Sequence, residues 1–219
     1  MAQVGCAGIL VSDTFCGPMI ELPREGQLLA VDSLPTKAGG CAANVAIGLS
    51  KQGISVDIAG CLGKDPSSRV LLASLAEHRV GCQHIVYSEK LPTSKTIILL
   101  VKEQDRRYIH AFGANQEFSV AQIDRGWVRD LKVLYVGGLF LMPSFHLGEF
   151  IGLLDFCRAH GVQTVVDVVI PQNTPLSDDL SPLLERVDYF IPNEDEAALL
   201  TGLTDPMEQL RAFLSKGAN

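Results

Sequence analysis

Short apolar runs alternate with amphipathic helical patterns along most of the sequence, and this alternation constrains the fold more than any other feature. The runs of strand length are residues 4–11, 55–62, 133–139, 164–169 and 188–191. The helical patterns are residues 41–52, 67–79, about 120–131, 144–160 and 178–186. Strands without polar alternation are typical of a parallel sheet that helices cover on both faces. The sequence therefore predicts an α/β fold with three layers, α/β/α, around a mainly parallel central sheet.

Two segments, residues 14–37 and 95–112, interrupt this alternation. The first is rich in Pro and Gly, and the second reads as two strands joined by a charged turn. Neither fits a βαβ unit, so both are predicted to form a small accessory sheet. We expect one domain over residues 1–219, with these two segments as its only departure from the βα rhythm.

Composition excludes several classes of protein. The net charge of −7 at pH 7 disfavours a nucleic-acid-binding surface. The apolar runs are too short to cross a bilayer. None of the six cysteines forms a CxxC pair, which favours structural thiols in a reducing cytoplasm over a metal site or disulfides. We therefore expect a cytoplasmic protein that binds neither nucleic acid nor membranes.

Polar residues gather where the predicted strands end, which is where open α/β sheets bind ligands. Asp13 follows the first strand, and Asn193 and Glu196 follow the fifth. Asp167 lies inside the apolar run TVVDVV, where an unpaired carboxylate would cost several kcal/mol. Helix capping is an equally good interpretation of Asn193 and of Asp65. It is the collection at one edge, rather than any single residue, that indicates a site.

The stretch AGGCAANVAIGLSKQG at residues 38–53 contains another polar residue in apolar surroundings. Asn44 lies in the first turn of an otherwise small and apolar helix, although asparagine is a poor helix former. It therefore either caps the helix or reaches a ligand. The preceding Gly39 and Gly40 either form a tight connection or let the backbone approach that ligand closely.

Taken together, these motifs resemble the ribokinase-like (PfkB) carbohydrate kinases. AGGCAANVAIGLSKQG followed by GCLGKD resembles the N-terminal signature of that family, and FGAN at 112–115 and PNEDEA at 192–197 follow in the same order. The resemblance extends from about residue 3 to the last residue. It implies a ribokinase-like fold in which the accessory strands form a β lid, a structure that often supplies a homodimer contact.

The resemblance also implies roles for individual residues. It assigns the hydroxyls of a sugar to Asp13, Gly39, Gly40, Asn44 and, as a weaker candidate on the lid hairpin, Asn115. It assigns ATP and Mg²⁺ to the N-x-x-E motif of Asn193 and Glu196, with Glu196 as the metal ligand and Asp167 beside them. The implied activity is ATP-dependent phosphorylation of a sugar hydroxyl.

One motif of the family is absent from the sequence. Members carry D-T-x-G-A-G-D, whose glycine-rich turn forms an anion hole and whose last Asp is the general base. No GAGD occurs in the 219 residues, so no catalytic residue is assigned. We expect that about 80–100 residues are missing and that the 219-residue chain alone is inactive.

Two alternatives remain open. A nucleoside kinase of the same fold would need aromatic partners for a base, and only 6% of the residues are aromatic. A truncated, non-catalytic module that binds sugar or dimerises through the lid would explain the absent motif. A dinucleotide-binding oxidoreductase is disfavoured, because the first strand is not followed by GxGxxG.

Overall fold

The structure, a computed structural model, describes residues 2–171 and 179–218. The described residues form ten strands: β1 (Val4–Gly8), β2 (Val11–Met19), β3 (Thr36–Gly39), β4 (Val56–Gly63), β5 (Gly81–Ser88), β6 (Ser94–Val101), β7 (Arg107–Ala111), β8 (Val133–Leu139), β9 (Gln163–Val168) and β10 (Tyr189–Phe190). They also form seven α-helices: α1 (Cys41–Lys51), α2 (Pro66–Glu77), α3 (Arg125–Arg129), α4 (Leu147–Ala159), α5 (Ser181–Leu184), α6 (Glu194–Thr201) and α7 (Pro206–Ser215).

The strands belong to two sheets. Six of them form the central sheet in the order β10-β9-β8-β1-β4-β5, and all neighbouring strands in it are parallel. The other four form what we call the small sheet, in the order β3-β2-β6-β7. In the small sheet β2 runs parallel to β6, while β3 and β7 are antiparallel to their neighbours. The parallel central sheet and the 95–112 hairpin are thus confirmed.

Two apolar clusters, one on each face of the central sheet, make up most of the core. Cys6 of β1 packs with residues of α1 and α2, including Ala46 and Leu71. The next residue, Ala7, packs on the other face with residues of α4, including Phe150. Successive side chains of a strand point to opposite faces, so a strand buried on both faces is apolar throughout. The three-layer α/β/α prediction is confirmed.

The first predicted strand, residues 4–11, is in fact divided between the two sheets. β1 ends at Gly8, whose φ of +138° is unfavourable for other residues, and β2 begins at Val11. A side chain on Gly8 would overlap the carbonyl oxygen of Gly137 on the neighbouring strand. Asp13 therefore lies in the small sheet and not, as predicted, directly at the end of a central strand.

Two further differences concern local structure. Residues 81–88 form the edge strand β5, which was not predicted because only Ile85 and Val86 are adjacent aliphatic residues in it. The helix predicted at about 120–131 is a 3-10 turn, Val120–Gln122, followed by the five-residue α3. The helix predicted at 178–186 is observed only as α5, and its first residue lies outside the described part of the chain.

The six cysteines differ in burial, and Cys6, Cys61 and Cys157 are buried. All six cysteines are free thiols, and burial raises the pKa of Cys6 to about 12 and those of Cys61 and Cys157 to about 11. Thiols with such pKa values are poor nucleophiles near neutral pH. Within residues 2–171 and 179–218, no helix is long and apolar enough to cross a membrane.

Candidate active site

The candidate site lies where the carboxyl ends of β8 and β9 meet the first turns of α1 and α6. Asp167 is the penultimate residue of β9, and Cys41 is the first residue of α1. α1 packs against β1, β4 and β8, which brings its N-terminus to this edge. The topology thus collects side chains from four separate elements. Two of these side chains, Asp167 and Glu196, were predicted from the sequence to lie at this edge.

Asp167 is paired, as a carboxylate in a buried strand must be. The hydroxyl of Tyr135 on β8 donates a hydrogen bond of 2.8 Å to Asp167 Oδ2. Burial, and then the Asp167 charge, raise the pKa of Tyr135, so the phenol stays protonated and remains a donor. A Cβ on Gly137 would lie 2.6 Å from Tyr135 Cε1 and 2.8 Å from Cys41 Cβ. Glycine at 137 therefore makes room for this arrangement.

The charges of both acidic residues of the site, Asp167 and Glu196, act on the Cys41 thiol. Burial is the main cause that raises the pKa of this thiol, and the charges of Asp167 and Glu196 raise it further. Cysteines at helix N-termini often have a lowered pKa. Here burial, reinforced by the neighbouring carboxylates, outweighs that tendency, so the thiol is protonated and is not a nucleophile.

Asn193 and Glu196 form a reciprocal capping box at the start of α6. Asn193 Oδ1 accepts from the Glu196 backbone N–H at 2.9 Å, and Glu196 Oε2 accepts from the Asn193 backbone N–H at 3.0 Å. The capping interpretation of Asn193 is therefore correct, and it does not exclude a role in ligand binding. Asp65 likewise caps α2, accepting from the Ser68 backbone N–H at 2.9 Å.

The Asp167 carboxylate acts electrostatically on Glu196. Burial raises the pKa of Glu196, and Asp167 and Asp195 raise it further, while the hydrogen bond from Asn193 lowers it. Two such carboxylates are hard oxygen donors whose repulsion a cation would relieve, so the donor set fits Mg²⁺. The described residues contain no group of three or more His, Cys, Asp or Glu side chains suited to a metal. Phosphate oxygens and water would have to complete the coordination.

Asp13 lies directly against the glycine pair. A side chain on Gly39 would overlap the Asp13 carboxylate, and one on Gly40 would overlap the Ile9 carbonyl oxygen. Gly40 also has a φ of +88°. Burial raises the pKa of Asp13, and a hydrogen bond from Thr96 lowers it. Gly39 is therefore more than part of a tight connection, because its lack of a side chain leaves space for the carboxylate, whereas Gly40 allows close packing against the Ile9 backbone.

Asn44 does not cap α1. Gly40 is the N-cap residue of this helix, and no side chain caps it. The Asn44 side chain is exposed and lines a cleft of about 700 Å³ between α1, α2 and β3, together with Lys37 and Ala38. Lys37 is the register partner of Asp13. Asn44 thus borders the strand next to Asp13, and its amide is accessible.

Asn115 has a different environment from that predicted. It is fully buried in the 3-10 turn Gly113–Glu117, which follows the hairpin rather than belonging to it. Its Oδ1 accepts from the Leu10 backbone N–H at 3.2 Å, and its Nδ2 donates to the Leu10 carbonyl at 3.1 Å. The amide is therefore engaged in holding the connection between β1 and β2.

Sequence reasoning did not identify two members of the site, Cys41 and Tyr135. Both could have been noticed in the sequence, because Cys41 directly follows the glycine pair and Tyr135 carries the only polar side chain in VLYVGGL. Neither residue type suggests phosphate or sugar binding by itself. Their proximity to Asp167 arises from strand order, which the sequence does not reveal.

Residues 6–219 of the chain match the family described as pfkB family carbohydrate kinase. The chain belongs to this family. Its α/β fold, with a mostly parallel sheet between helices, is the fold of ribokinase and fructokinase structures. Among curated relatives, this pfkB-family chain is 26% identical over 206 residues to the ribokinase of Arabidopsis thaliana. That alignment covers 89% of this chain and 51% of the relative, so the chain spans about half the length of that protein.

Two solved structures show the same arrangement of elements. The Arabidopsis thaliana ribokinase complexed with ribose and ATP matches with a TM-score of 0.75 and 23% identity, over 98% of this chain and 68% of that one. The Xylella fastidiosa fructokinase with bound ATP matches with a TM-score of 0.78 and 19% identity, over 100% and 71%. At these identities the two structures support the fold of this pfkB-family chain and leave its substrate undetermined.

Proposed function

We propose that this chain carries the sugar-binding part of an ATP-dependent carbohydrate kinase. The observation that carries the proposal is the contact of the Asp13 carboxylate with Gly39, a position where any side chain would displace it. A carboxylate beside bare backbone suits vicinal hydroxyls, which need an acceptor and close approach. Gly40, the N-cap residue of α1, adds a second stretch of bare backbone next to Gly39, and Asn44 contributes an exposed amide from α1.

The phosphate side of the proposed site is formed by Asp167, Glu196 and Asn193. The two carboxylates would hold Mg²⁺, mostly through water, and Mg²⁺ supplies neutralisation of phosphate charge during phosphoryl transfer. Tyr135 orients Asp167 through its hydrogen bond. The ribokinase and fructokinase structures that contain ATP support nucleotide use by this chain.

Phosphoryl transfer itself needs a general base and an anion hole that we do not assign to any of the 219 residues. We therefore propose that the 219-residue polypeptide binds sugar without phosphorylating it. Loss of a general base costs about 10²–10⁴-fold in rate, and loss of oxyanion-type donors costs about 10²–10³-fold more.

The first experiment is calorimetric titration of the purified chain with pentoses, hexoses and nucleosides, beginning with D-ribose and D-fructose. We expect at least one sugar to bind and Asn44→Ala to weaken its binding by about 1–3 kcal/mol. Binding of nucleosides alone would favour a nucleoside kinase instead. A coupled ADP-release assay on the same samples should show no turnover, and turnover would show that a base is present, with Asp167 the first residue to test.

A homodimer through the small sheet is a further part of the proposal. β7 is a terminal strand of that sheet, and its Tyr108 and Ile109 side chains are 57% and 60% exposed. An exposed apolar edge strand favours pairing with another strand. Analytical ultracentrifugation should find a dimer for the wild type and a monomer for Ile109→Lys, whereas a monomeric wild type would exclude this contact.

A further inference from the structure

Three polar residues face one another across the small sheet. Thr96 of β6 is the register partner of Asp13 on β2 and also of His110 on β7. Side chains at such directly opposed positions project from the same face of a sheet and lie within contact distance. Asp13, Thr96 and His110 therefore form a row that runs from the proposed sugar carboxylate to the sheet edge.

Polar contacts connect this row. Thr96 Oγ1 lies 3.0 Å from His110 Nδ1. On its other side Thr96 faces its register partner Asp13, and the Thr96 hydroxyl lowers the pKa of that carboxyl. Thr96 is only 8% exposed. The remaining ring nitrogen, His110 Nε2, is buried and has no hydrogen-bond partner among the described residues. The histidine thus has one hydrogen-bonding function within the described structure, which is its contact with Thr96.

The chemistry of the three groups determines which of them donates each hydrogen bond and which accepts it. An ionised Asp13 only accepts hydrogen bonds, so the single Thr96 proton must be donated to it. The Thr96 oxygen then accepts from His110, which requires the proton on Nδ1. Burial lowers the pKa of His110, which favours the neutral ring, and a neutral ring with its proton on Nδ1 carries none on Nε2.

We propose that Thr96 and His110 are positioning residues that hold the Asp13 carboxylate in place for a sugar hydroxyl. This inference rests on the proposed function and adds two residues to it. The bond from Thr96 occupies one acceptor position of Asp13 and fixes the carboxylate against Gly39. The other acceptor positions remain for the substrate.

Lys37, on the other side of Asp13, does not serve this purpose. It is the register partner of Asp13 on β3, but its side chain is exposed and its Nζ lies 5.5 Å from the centre of the Phe15 ring. No ion pair found among the described residues joins it to Asp13. The neutral hydroxyl of Thr96 is therefore the group that orients the carboxylate.

The first test is the tautomer of His110 in the sugar-free protein, read by two-dimensional proton–nitrogen NMR at neutral pH. His110→Gln identifies its signals among those of the five histidines. We expect the Nδ1–H tautomer in the wild type and loss of that preference in Thr96→Val. An Nε2–H tautomer in the wild type, or no change in Thr96→Val, would overturn the proposed hydrogen-bond row.

The second test is the affinity for D-ribose, or for whichever sugar of the titration panel binds best. Thr96→Val should weaken binding about tenfold, whereas Thr96→Ser, which keeps the hydroxyl, should restore it to within about threefold. Thr14→Val is the matched control, because Thr14 lies next to Asp13 on β2, projects to the opposite face and pairs with Thr36 at 3.1 Å. It should leave the affinity unchanged.

The outcomes separate this inference from the function on which it rests. A wild type that binds no sugar would overturn the proposed function, and the substrate role of Thr96 and His110 with it. If the wild type binds sugar and Thr96→Val binds it equally tightly, the inference alone is overturned. Equal loss in Thr96→Val and Thr96→Ser would also contradict it, because the serine hydroxyl preserves the donor.

Discussion

Tyr135 and Asp167, on the adjacent strands β8 and β9, are joined by a hydrogen bond of 2.8 Å from the phenol to Oδ2. The register partner of Tyr135 is Val165, and Asp167 lies two residues further along β9, hence on the same face. The phenol supplies the partner that a carboxylate in an apolar strand needs.

Tyr135→Phe should lower the free energy of unfolding by about 1–3 kcal/mol, because the Asp167 carboxylate loses its donor. Chemical denaturation measures this value. Tyr87→Phe is the control, since Tyr87 is 45% exposed on the edge strand β5. If both variants lose the same stability, the hydrogen bond does not stabilise the fold.

Glu196→Gln should stabilise the protein increasingly as the pH rises above 4.5, the ordinary pKa of glutamate. The pKa of Glu196 is raised in the folded state, so its stabilising contribution is complete below the unfolded pKa and is lost as the pH rises through the folded value. Glutamine keeps the capping box and cannot ionise. Unfolding free energies measured between about pH 4 and 7 test this.

The control for that series is Glu194→Gln, a change at an exposed glutamate in the same first turn of α6. Its stability relative to wild type should not show the same rise, because the Glu194 side chain is exposed, whereas that of Glu196 is partly buried. Identical pH dependence in the two variants would show that Asp167 and burial do not act on Glu196. Added Mg²⁺ should reduce the wild-type pH dependence, because the cation favours the ionised carboxylates.

Asn115→Ala should destabilise the fold by about 2–5 kcal/mol, because the buried N–H and C=O of Leu10 both lose their partner. Gln116→Ala, at an exposed position of the same turn, should change stability by less than about 0.5 kcal/mol. Urea unfolding compares the two. Weakened sugar binding in Asn115→Ala without loss of stability would instead support the substrate role suggested by the family resemblance.

The sequence predicted the parts of the fold that repeat a simple pattern. Five apolar runs predicted central strands, because burial on both faces removes polar residues. Gly53 and Gly161 indicated where helices α1 and α4 end. The edge strand β5 was not predicted, because its partly exposed side chains include those of His84 and Gln83. The division of residues 4–11 depends on Gly8 meeting Gly137, a contact between distant segments.

The candidate site was predictable only where one segment contains the signal. Gly39, Gly40 and Asn44 lie in one stretch, and so do Asn193 and Glu196. The row formed by Asp13, Thr96 and His110 was not predicted, because its members are neighbours only through strand register. Asn115 was placed with the substrate because its motif adjoins the hairpin, whereas its packing against Leu10 is a tertiary contact.

The central claim is that the chain binds a sugar beside Asp13 and the glycine pair, and calorimetric titration of Gly39→Ala with the sugar that binds the wild type tests it most directly. Gly152→Ala is the control, because Gly152 lies in α4 with open space around its Cβ position. We expect Gly39→Ala to remain folded by circular dichroism and to lose binding at least about tenfold, since its methyl group displaces the Asp13 carboxylate. Gly152→Ala should bind as the wild type does. Undiminished sugar affinity in folded Gly39→Ala would contradict the account.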